Sequence, residues 1–534
     1  MMTLATPTPS PLAALTIRSV SEALHHGGPS LEKTVKQALR HGAREQIVTS
    51  AEHRAVLSSV IFGTAIQRAR LSWMMRQLTS HSLHATYYDL SDRREAAAAL
   101  LVALYLLHET PQRVEQEAVA RLLPPLTLGL PSSTVSRLRE LDIEAMRWPS
   151  SPTVHLATRY SLPNSLARTL IRRLGAEEAS SLAQAFNTPG RVTLRANVHA
   201  RPSGARASLM DALNSAGVAC RAGELSPWAV QLDATVRSAY GGSVWSLEGW
   251  KEGAFEVQDE GSQLIALACE AQKGESVLDL CAGNGGKALA LAALIGSSGR
   301  LVAHDVVESR LAALRASAKR AGVDAIVHTF ATDPAAAGGI KGAEAALASV
   351  SESITAGEYY DVVLVDAPCS SSGTLRRHPG LRWDRDSAWN VGRHQHHHEE
   401  EEGETADYSS YQHHHEKEED ETADYSSYQS LQLRLLRQAA RLVRPGGGRL
   451  VYATCSIDER ENELVAEAAF QYAEVLDEVD EDDSRGQHVS SRSLVPWPFA
   501  EEAPGRHDES HHMCTLWPHR LGTDGFFVAR WRRS

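Results

Sequence analysis

One stretch, VLDLCAGNGGK at residues 277–287, constrains the possible fold more than any other part of the chain. An apolar run enters a glycine-rich turn, and the helix-forming residues ALALAALI follow it. This order predicts a buried strand, a tight loop and a helix. Gly283, Gly285 and Gly286 lack a Cβ, so the backbone can turn sharply and lie against a ligand. In a doubly wound sheet such a loop lies at the carboxyl ends of the strands, where ligands bind.

The rest of the C-terminal half alternates apolar segments with helical patterns. The strand-like segments are VLDLC, RLVAHDV, AIVHTF, YYDVVLVDAP and RLVYATC. Buried strands that alternate with helices are typical of a parallel sheet covered on both faces. Residues 256–534 are therefore predicted to form one α/β, Rossmann-like domain.

Two regions of different character precede this domain. Residues 12–150 repeat apolar residues at three- and four-residue spacing, which predicts an all-helical domain behind a disordered leader at 1–11. Residues 155–255 mix short helical and alternating segments, which predicts a small α/β, ferredoxin-like domain. Its clustered arginines are candidates for contacting RNA phosphates: Arg191, Arg195, Arg201 and Arg206.

An acidic tandem repeat interrupts the C-terminal domain. HHHEEEEGETADYSSYQ at 396–412 is followed by HHHEKEEDETADYSSYQ at 413–429. Such a polar unit cannot bury a core, so a disordered insertion is predicted at 394–429. Residues 395–429 carry a net charge of −11 out of −12 for the chain, so the whole-chain charge does not exclude an RNA partner. No ligand spacing accompanies the His triplets, and no metal site is predicted.

The cysteines and the apolar pattern bear on the compartment. The six cysteines are Cys220, Cys269, Cys281, Cys369, Cys455 and Cys514. They contain no CxxC pair, which indicates free thiols in a reducing, intracellular compartment. No apolar run reaches about 18 residues, so no membrane span is expected. The first 21 residues lack acids, which permits an organelle transit peptide, but a disordered leader is the preferred interpretation.

Acidic residues mark the predicted strands of the sheet. Asp279 lies in the first strand, and Asp305, Asp333 and Asp366 end the next three. Capping a helix is the common role of a single Asp after a strand. Several along one edge, beside a glycine loop, favour a cofactor that contains a nucleoside. The glycine spacing is not GxGxxG, and GxxxxGK[ST] is absent, so nicotinamide cofactors and P-loop chemistry are disfavoured.

Two cysteines also end predicted strands. Cys369 lies in DAPCSSSG and Cys455 lies in YATCS. A single such residue is usually a packed structural thiol. Two thiols at one edge of a sheet, each followed by serine, instead suggest a site where a thiolate acts as a nucleophile.

These motifs together resemble a known family. VQDEGSQLIA, LDLCAGNGGK, DAPCSSSG and YATCS, in this order, closely resemble the RNA cytosine-5 methyltransferase family, the Sun/Nop type that includes bacterial ribosomal RNA methyltransferases. The resemblance covers about residues 155–475 and the segment GFFVARW, and the preceding helices resemble that family's NusB-like domain. It implies S-adenosyl-L-methionine as methyl donor, RNA, and in particular ribosomal RNA, as partner, and a monomeric enzyme.

The resemblance assigns roles by position. The implied cofactor-binding loop consists of Cys281, Ala282, Gly283, Asn284, Gly285, Gly286 and Lys287. Asp305 is implied to hold the ribose and Asp333 the adenine side, with Asp366 between cofactor and target base. Cys455 is implied to be the nucleophile, and Cys369 to assist product release.

The chemistry of cytosine agrees with these implied roles. A thiolate added to carbon 6 makes carbon 5 enamine-like, and Asp366 near ring nitrogen 3 would stabilise the adduct. Lys287 is expected to orient the base or to lower the thiol pKa. The target base must be unpaired or flipped out of a helix to be reached.

The sequence departs from the family in two places. The family loop reads AAPGGKT, whereas Gly283 and Asn284 replace Ala-Pro here and Ala288 replaces Thr. The acidic repeat follows DAPCSSSGTLRRHPGLRW, and we expect it to project outward because it would repel RNA. Two alternatives stay open at this point. One is a catalytically weak or inactive RNA-binding or ribosome-assembly factor, and the other is a DNA cytosine methyltransferase with Cys369 as nucleophile.

Overall fold

The computed structural model describes ten segments of the chain. They are residues 9–24, 31–79, 93–110, 113–233, 244–331, 359–383, 426–469, 494–496, 506–507 and 512–534. Asp333 and the tandem repeat up to residue 425 lie outside them, as does most of the leader, so the predictions for those residues stay predictions. In the described part, no helix combines the length and the apolar character that crossing a membrane requires.

The chain divides into two compact units, Met1–Asn187 with His378–Ala423, and Thr188–Arg377 with Asp424–Ser534. The first unit is helical, as predicted. Its helices are α1 (Pro11–Leu24), α2 (Leu31–Arg44), α3 (Ala51–Ile66), α4 (Arg68–Thr79), α5 (Arg93–His108), α6 (Arg113–Leu122), α7 (Ser132–Arg139), α8 (Pro152–Tyr160) and α9 (Asn164–Phe186). Residues 98–105 of α5 are all buried, because this helix is apolar on every side.

The boundary predicted at residues 150–155 is wrong, because α8 and α9 belong to the helical unit. They pack against each other, and α8 also packs against α4. Residues 378–383 belong there too: the buried Arg382 donates to Asn187 Oδ1 at 2.7 Å, and Trp383 Nε1 donates to the Ile66 carbonyl at 3.3 Å. Helical periodicity is local, so it could not show which core a helix packs on.

The second unit begins with a small antiparallel sheet. Its elements are β1 (Thr193–Ala196), α10 (Ala205–Ser215), β2 (Cys220–Ala222), β3 (Ala229–Leu232) and β4 (Phe255–Val257). The strand order is β2-β3-β1-β4, with every pair antiparallel. One helix packs on this sheet over a core that includes Leu194, Leu209 and Phe255. This is the small α/β domain that alternating segments predicted.

The large sheet contains five parallel strands. They are β5 (Ser276–Asp279), β6 (Arg300–Asp305), β7 (Val327–Ala331), β8 (Val362–Asp366) and β9 (Arg449–Thr454), in the order β7-β6-β5-β8-β9. From β5 the chain adds β6 and then β7 on one side, and later adds β8 and then β9 on the other side. The point between β5 and β8 is therefore the topological switch point. The loops after these two strands therefore lie at the place where doubly wound sheets bind ligands.

Antiparallel strands extend the sheet beyond β9. They are β10 (Leu494–Pro496), β11 (Arg506–His507), β12 (Met513–Leu516) and β13 (Phe526–Arg533), and β13 pairs with β9. The longer helices that accompany this sheet are α11 (Glu260–Ala268), α12 (Gly286–Ile295), α13 (Glu308–Ala321) and α14 (Ser426–Leu442); shorter helical stretches lie at 463–469 and at Pro518–Leu521. Separate apolar clusters centred on Val277 and Val363 correspond to two covered sheet faces, which confirms the Rossmann-like prediction.

The start of α14 corrects the end of the predicted insertion. The helix begins at Ser426, although the insertion was predicted to run to residue 429. The last repeat residues join the helical pattern LQLRLLRQAARL, and Gln429 Nε2 donates to the Arg460 carbonyl at 2.5 Å. A tertiary contact thus extends the helix by one turn into a segment that composition alone marked as disordered.

Candidate active site

The glycine loop joins β5 to α12 in a conformation that only glycine adopts without strain. Gly283 has φ +55° and Gly285 has φ +88°. A Cβ on Gly285 would lie 2.5 Å from the Leu314 side chain, so both the backbone and the packing require glycine there. Helix α12 starts directly afterwards, at Gly286, and the backbone N–H groups of its first turn have no partner within the helix.

Asp305, at the end of β6, holds this loop in place. Its Oδ2 accepts a hydrogen bond from the Gly283 N–H at 2.9 Å, and its Oδ1 accepts one from the Val307 N–H at 2.8 Å. The carboxylate is buried. Each oxygen keeps a second acceptor position that a ribose hydroxyl could use. Sequence analysis therefore placed Asp305 beside the loop correctly.

Asp279, at the end of β5, is a buried carboxylate that the sequence analysis left without a role. Among the described residues, neither carboxylate oxygen of Asp279 has a hydrogen-bond partner of normal geometry. The nearby backbone amide of Cys281 favours the ionised form and so acts to lower the pKa. Burial, and then the negative charge of Asp366, raise its pKa to about 7. An unpaired carboxylate inside a glycine cradle fits a cationic ligand group, such as the amino group of an amino acid.

Lys287 and Asp366 form an ion pair across the switch point. The Lys287 Nζ lies 2.6 Å from Oδ2 of Asp366 and 5.5 Å from the centre of the Phe526 ring. Burial alone would lower the pKa of Lys287, but Asp366 outweighs burial and the pKa is raised. The lysine therefore stays protonated at the edge of the site.

The two strand-end cysteines meet. Cys369 follows β8 and Cys455 follows β9, which are parallel neighbours, and their Sγ atoms lie 3.3 Å apart. The Cys369 hydrogen bond is the main cause that lowers the Cys455 pKa, and Ser371, 3.4 Å away, and Lys287 act in the same direction. The same contact, together with burial, raises the pKa of Cys369 well above its usual value. The contact thus favours the thiolate form of Cys455 and the thiol form of Cys369.

The backbone holds the two cysteine loops close. The Gly373 N–H donates to the Cys455 carbonyl at 2.9 Å, and the Gly525 N–H donates to the Gly373 carbonyl at 2.8 Å. A Cβ on Gly373 would lie 2.2 Å from the Gly525 carbonyl oxygen. Glycine in DAPCSSSG is therefore a packing requirement of the paired loops.

The structure brings most of the predicted residues together at this edge of the sheet. Cys281, whose pKa burial raises well above the usual value, packs against an apolar cluster, whereas Asn284 is exposed. One expectation is wrong: Arg195 is buried, and it donates to the Gly286 carbonyl at 2.5 Å rather than presenting itself to phosphates. An arginine in a strand-like pattern looks the same in sequence whether it faces solvent or a neighbouring loop.

A further buried acid, Glu461, lies beside the cysteines without any motif that marks it in the sequence. Glu461, six residues after Cys455, is fully buried and hydrogen bonds to both cysteine loops. Its segment, DERENELV, reads as a charged surface helix, and no spacing rule relates it to DAPCSSSG. The only available signal was its position just after YATCS.

The fold and this site define an S-adenosyl-L-methionine-dependent methyltransferase. The family described as 16S rRNA methyltransferase RsmB/F matches residues 266–399 and 409–532. The chain belongs to this family of RNA methyltransferases.

Individual relatives are similar over most of their length. The probable ribosomal RNA small subunit methyltransferase B of Bacillus subtilis is 26% identical over 497 residues, 91% of this chain and 92% of the relative. The ribosomal RNA small subunit methyltransferase B of Vibrio cholerae is 28% identical, over 80% of this chain and 83% of the relative. The crystal structure of PH0851 shares the fold, with a TM-score of 0.59, 22% identity and coverage of 97% and 99%.

Proposed function

We propose that the protein forms 5-methylcytosine in the RNA of the small ribosomal subunit, through a covalent bond between Cys455 and the target base. The observation that carries this proposal is the pair of sulfur atoms 3.3 Å apart at the ends of two neighbouring parallel strands. The ribosomal substrate is supported by the relatives, whose names specify the small subunit RNA.

The residues at the switch point fit the methyl donor. Asp279 would hold its amino group, because that buried carboxylate has no other full partner. The N-terminus of α12 would hold its carboxylate. Asp305 would hold the ribose, and Asp333 the adenine side. When bound, S-adenosyl-L-methionine supplies an electrophilic methyl group on a sulfonium ion.

Cys455 begins the reaction as the nucleophile. Its lowered pKa increases the thiolate fraction, and the thiolate adds to carbon 6 of the cytosine ring. The added electron pair moves into the ring and makes carbon 5 nucleophilic. Asp366 accepts a hydrogen bond from Lys287 Nζ at 2.6 Å, and this pair would stabilise the adduct at ring nitrogen 3.

Cys369 acts at the end of the reaction. After methylation the proton on carbon 5 passes to solvent water as the base, and the electrons of that bond expel Cys455 from carbon 6 as a thiolate. The Cys369 thiol lies 3.3 Å from the departing sulfur, and a hydrogen bond donated from it would stabilise the thiolate as it forms. The raised pKa of Cys369 disfavours the DNA-type assignment, in which that residue would be the attacking thiolate.

The proposal includes the cellular setting. Both thiols must be reduced to act, and all six cysteines are free, so we place the protein in an intracellular, reducing compartment. We further propose that it acts as a monomer, because one chain supplies both cysteines, the lysine–aspartate pair and the glycine loop.

Three variants of the full chain test the mechanism. With small-subunit RNA and S-adenosyl-L-methionine, bisulfite sequencing should show a new 5-methylcytosine for the wild type and none for Cys455→Ala. Cys369→Ala should accumulate an RNA–protein adduct that survives denaturing gel electrophoresis. The control is Cys220→Ala, which changes a half-buried cysteine of β2 and should behave as the wild type. Methylation by Cys455→Ala would refute the assignment.

A further inference from the structure

A single buried carboxylate links the two loops that carry the cysteines. Glu461 Oε1 accepts a hydrogen bond from the Ser370 backbone N–H at 2.8 Å. Its Oε2 accepts one from the Ser370 hydroxyl and one from the Ser456 hydroxyl, each at 2.6 Å. Ser370 directly follows Cys369, and Ser456 directly follows Cys455. Glu461 therefore fixes the residue next to each thiol.

A wider network supports the same link. The Ser372 hydroxyl accepts from the Ile457 N–H at 2.9 Å and lies 3.0 Å from the Ser456 hydroxyl. Gln432 of α14 donates to the Pro368 carbonyl at 2.9 Å and reaches Glu461 Oε1 at 3.3 Å. The serines that follow each cysteine thus bond to one another and to the same acid, and none of them is exposed.

These contacts determine how closely the thiols approach. A thiol–thiol contact is a weak hydrogen bond, so it cannot hold two loops in register by itself. Three hydrogen bonds to one carboxyl group join the loops here. Burial raises the pKa of Glu461, and the bonds from Ser370 and Ser456 act against that rise because they favour the ionised form, to which hydrogen bonds are roughly twice as strong as neutral ones. Without Glu461, the Gly373 N–H bond to the Cys455 carbonyl and the Ser372 contacts would still tie the loops. The Ser370 N–H, directly after Cys369, would lose its acceptor, and the Ser370 and Ser456 hydroxyls would lose the carboxylate that they share.

We propose that Glu461 is a positioning residue for this methyltransferase: it holds Cys369 beside Cys455 so that attack on the base and release of the product use one fixed geometry. The inference rests on the proposed function for its catalytic consequence. Its structural half, the spacing of the two sulfur atoms, stands on the hydrogen bonds alone and can be measured separately.

Disulfide closure measures that spacing without RNA or cofactor. Diamide, a diazene oxidant, accepts two electrons and two protons: the two thiols become one disulfide and the N=N bond becomes N–H/N–H. The wild type should close the Cys369–Cys455 bridge rapidly, as peptide mapping would show. Glu461→Ala should close it roughly tenfold more slowly, since a displacement of about 1 Å already disrupts reactive geometry. An unchanged closure rate would overturn the proposal.

Two further variants keep this measurement decisive. Glu461→Gln keeps an oxygen for the Ser370 N–H but has one acceptor oxygen instead of two. Its rate of disulfide closure should therefore lie between the rates of the wild type and Glu461→Ala. If Glu461→Ala fails to fold, a Gln variant that closes like the wild type overturns the proposal. Glu467→Ala removes an exposed acid from the neighbouring helical residues 463–469, and should match the wild type.

Kinetics test the catalytic consequence. Glu461→Ala should lower kcat roughly 10²-fold with little change in KM for RNA, and should accumulate the covalent adduct. Glu461→Gln should recover part of kcat. A larger KM with unchanged kcat would show an RNA-binding role and overturn the inference. If the wild type forms no 5-methylcytosine while closure still depends on Glu461, the proposed function fails but the positioning role stands.

Discussion

The thiol of Cys369 lies 3.3 Å from the sulfur of Cys455, and this contact gives two chemically identical groups opposite character. The contact lowers the pKa of one and raises that of the other. Parallel strands β8 and β9 create the contact by ending side by side, 86 residues apart in the chain. The proposed division of roles between Cys455 as nucleophile and Cys369 as assisting thiol rests on this geometry.

The first prediction concerns the order of alkylation. Because only the thiolate reacts, iodoacetamide should label Cys455 at a lower pH than Cys369. Peptide mapping by mass spectrometry across pH 6–10 gives the two profiles. Cys220, whose pKa burial raises, is the reference thiol and should label later than Cys455. Earlier labelling of Cys369 would contradict the assignment of the nucleophile.

The second prediction concerns Lys287. Replacement by Met removes the partner of Asp366 and a positive charge that lowers the Cys455 pKa. We expect kcat to fall roughly 10²-fold and the alkylation profile of Cys455 to move to higher pH. Lys287→Arg should restore part of both. The control is Lys273→Met at an exposed lysine, where activity should not change.

The third prediction concerns Asp279 and the cofactor. Since its pKa is about 7, the carboxylate is ionised mainly above that pH, and affinity for a cationic amino group should fall as the pH drops below about 7. Calorimetric titration with S-adenosyl-L-methionine at pH 6 and pH 8 measures this. Asp279→Asn should bind weakly at both values, whereas Asp211→Asn, at an exposed site on α10, should behave as the wild type.

The same residue gives a stability test. The folded-state pKa of Asp279 lies above the value of about 3.9 expected for the unfolded chain, so the folded state loses stability as the pH rises between these values. Without cofactor, Asp279→Asn should therefore raise Tm at pH 8 more than at pH 5. An equal change in Tm at both values would show that burial of this charge is not costly.

The fourth prediction concerns Gly373. A Cβ there would meet the Gly525 backbone at 2.2 Å, so Gly373→Ala must push the cysteine loops apart. We expect a loss of about 1–3 kcal/mol in the free energy of unfolding, together with slower methylation. Gly190→Ala is the matched control, because its Cβ would meet only the Arg377 side chain at 3.7 Å. Equal effects of the two changes would contradict the packing argument.

The parts of the fold that depend on local pattern were predictable. The run VLDLC and the helix after GNGGK predicted β5, its loop and α12, because apolar periodicity and glycine act over a few residues. The sequence placed Asp305, Asp366, Cys369 and Cys455 at strand ends, and the structure has them there or directly after. By contrast, the assignment of α8 and α9 to the helical unit depends on packing partners that periodicity does not identify.

The candidate site also combines features that local pattern predicts with features that only packing decides. Motif order was sufficient to predict two cysteines, a lysine and a cofactor loop at one edge of a sheet. Glu461 was not singled out, and Asp279 was grouped with the other strand acids without a role of its own, because their significance lies in what surrounds them. Glu461 accepts from donors on two loops, whereas Asp279 has almost no donor. Arg195 was misassigned for the same reason, since its burial against Gly286 is a property of the packed chain.

By itself, the sequence determined the strand–loop–helix order, the chemistry available at each strand end and the family to which the chain belongs. Side-chain type and short-range spacing are enough for these. Only the tertiary structure decided which groups lie close enough to shift a pKa, namely the two thiols, and the Asp366 carboxylate that raises the pKa of Lys287. The reason is that hydrogen bonds and buried charges act over a few ångströms in space, whatever the separation along the chain.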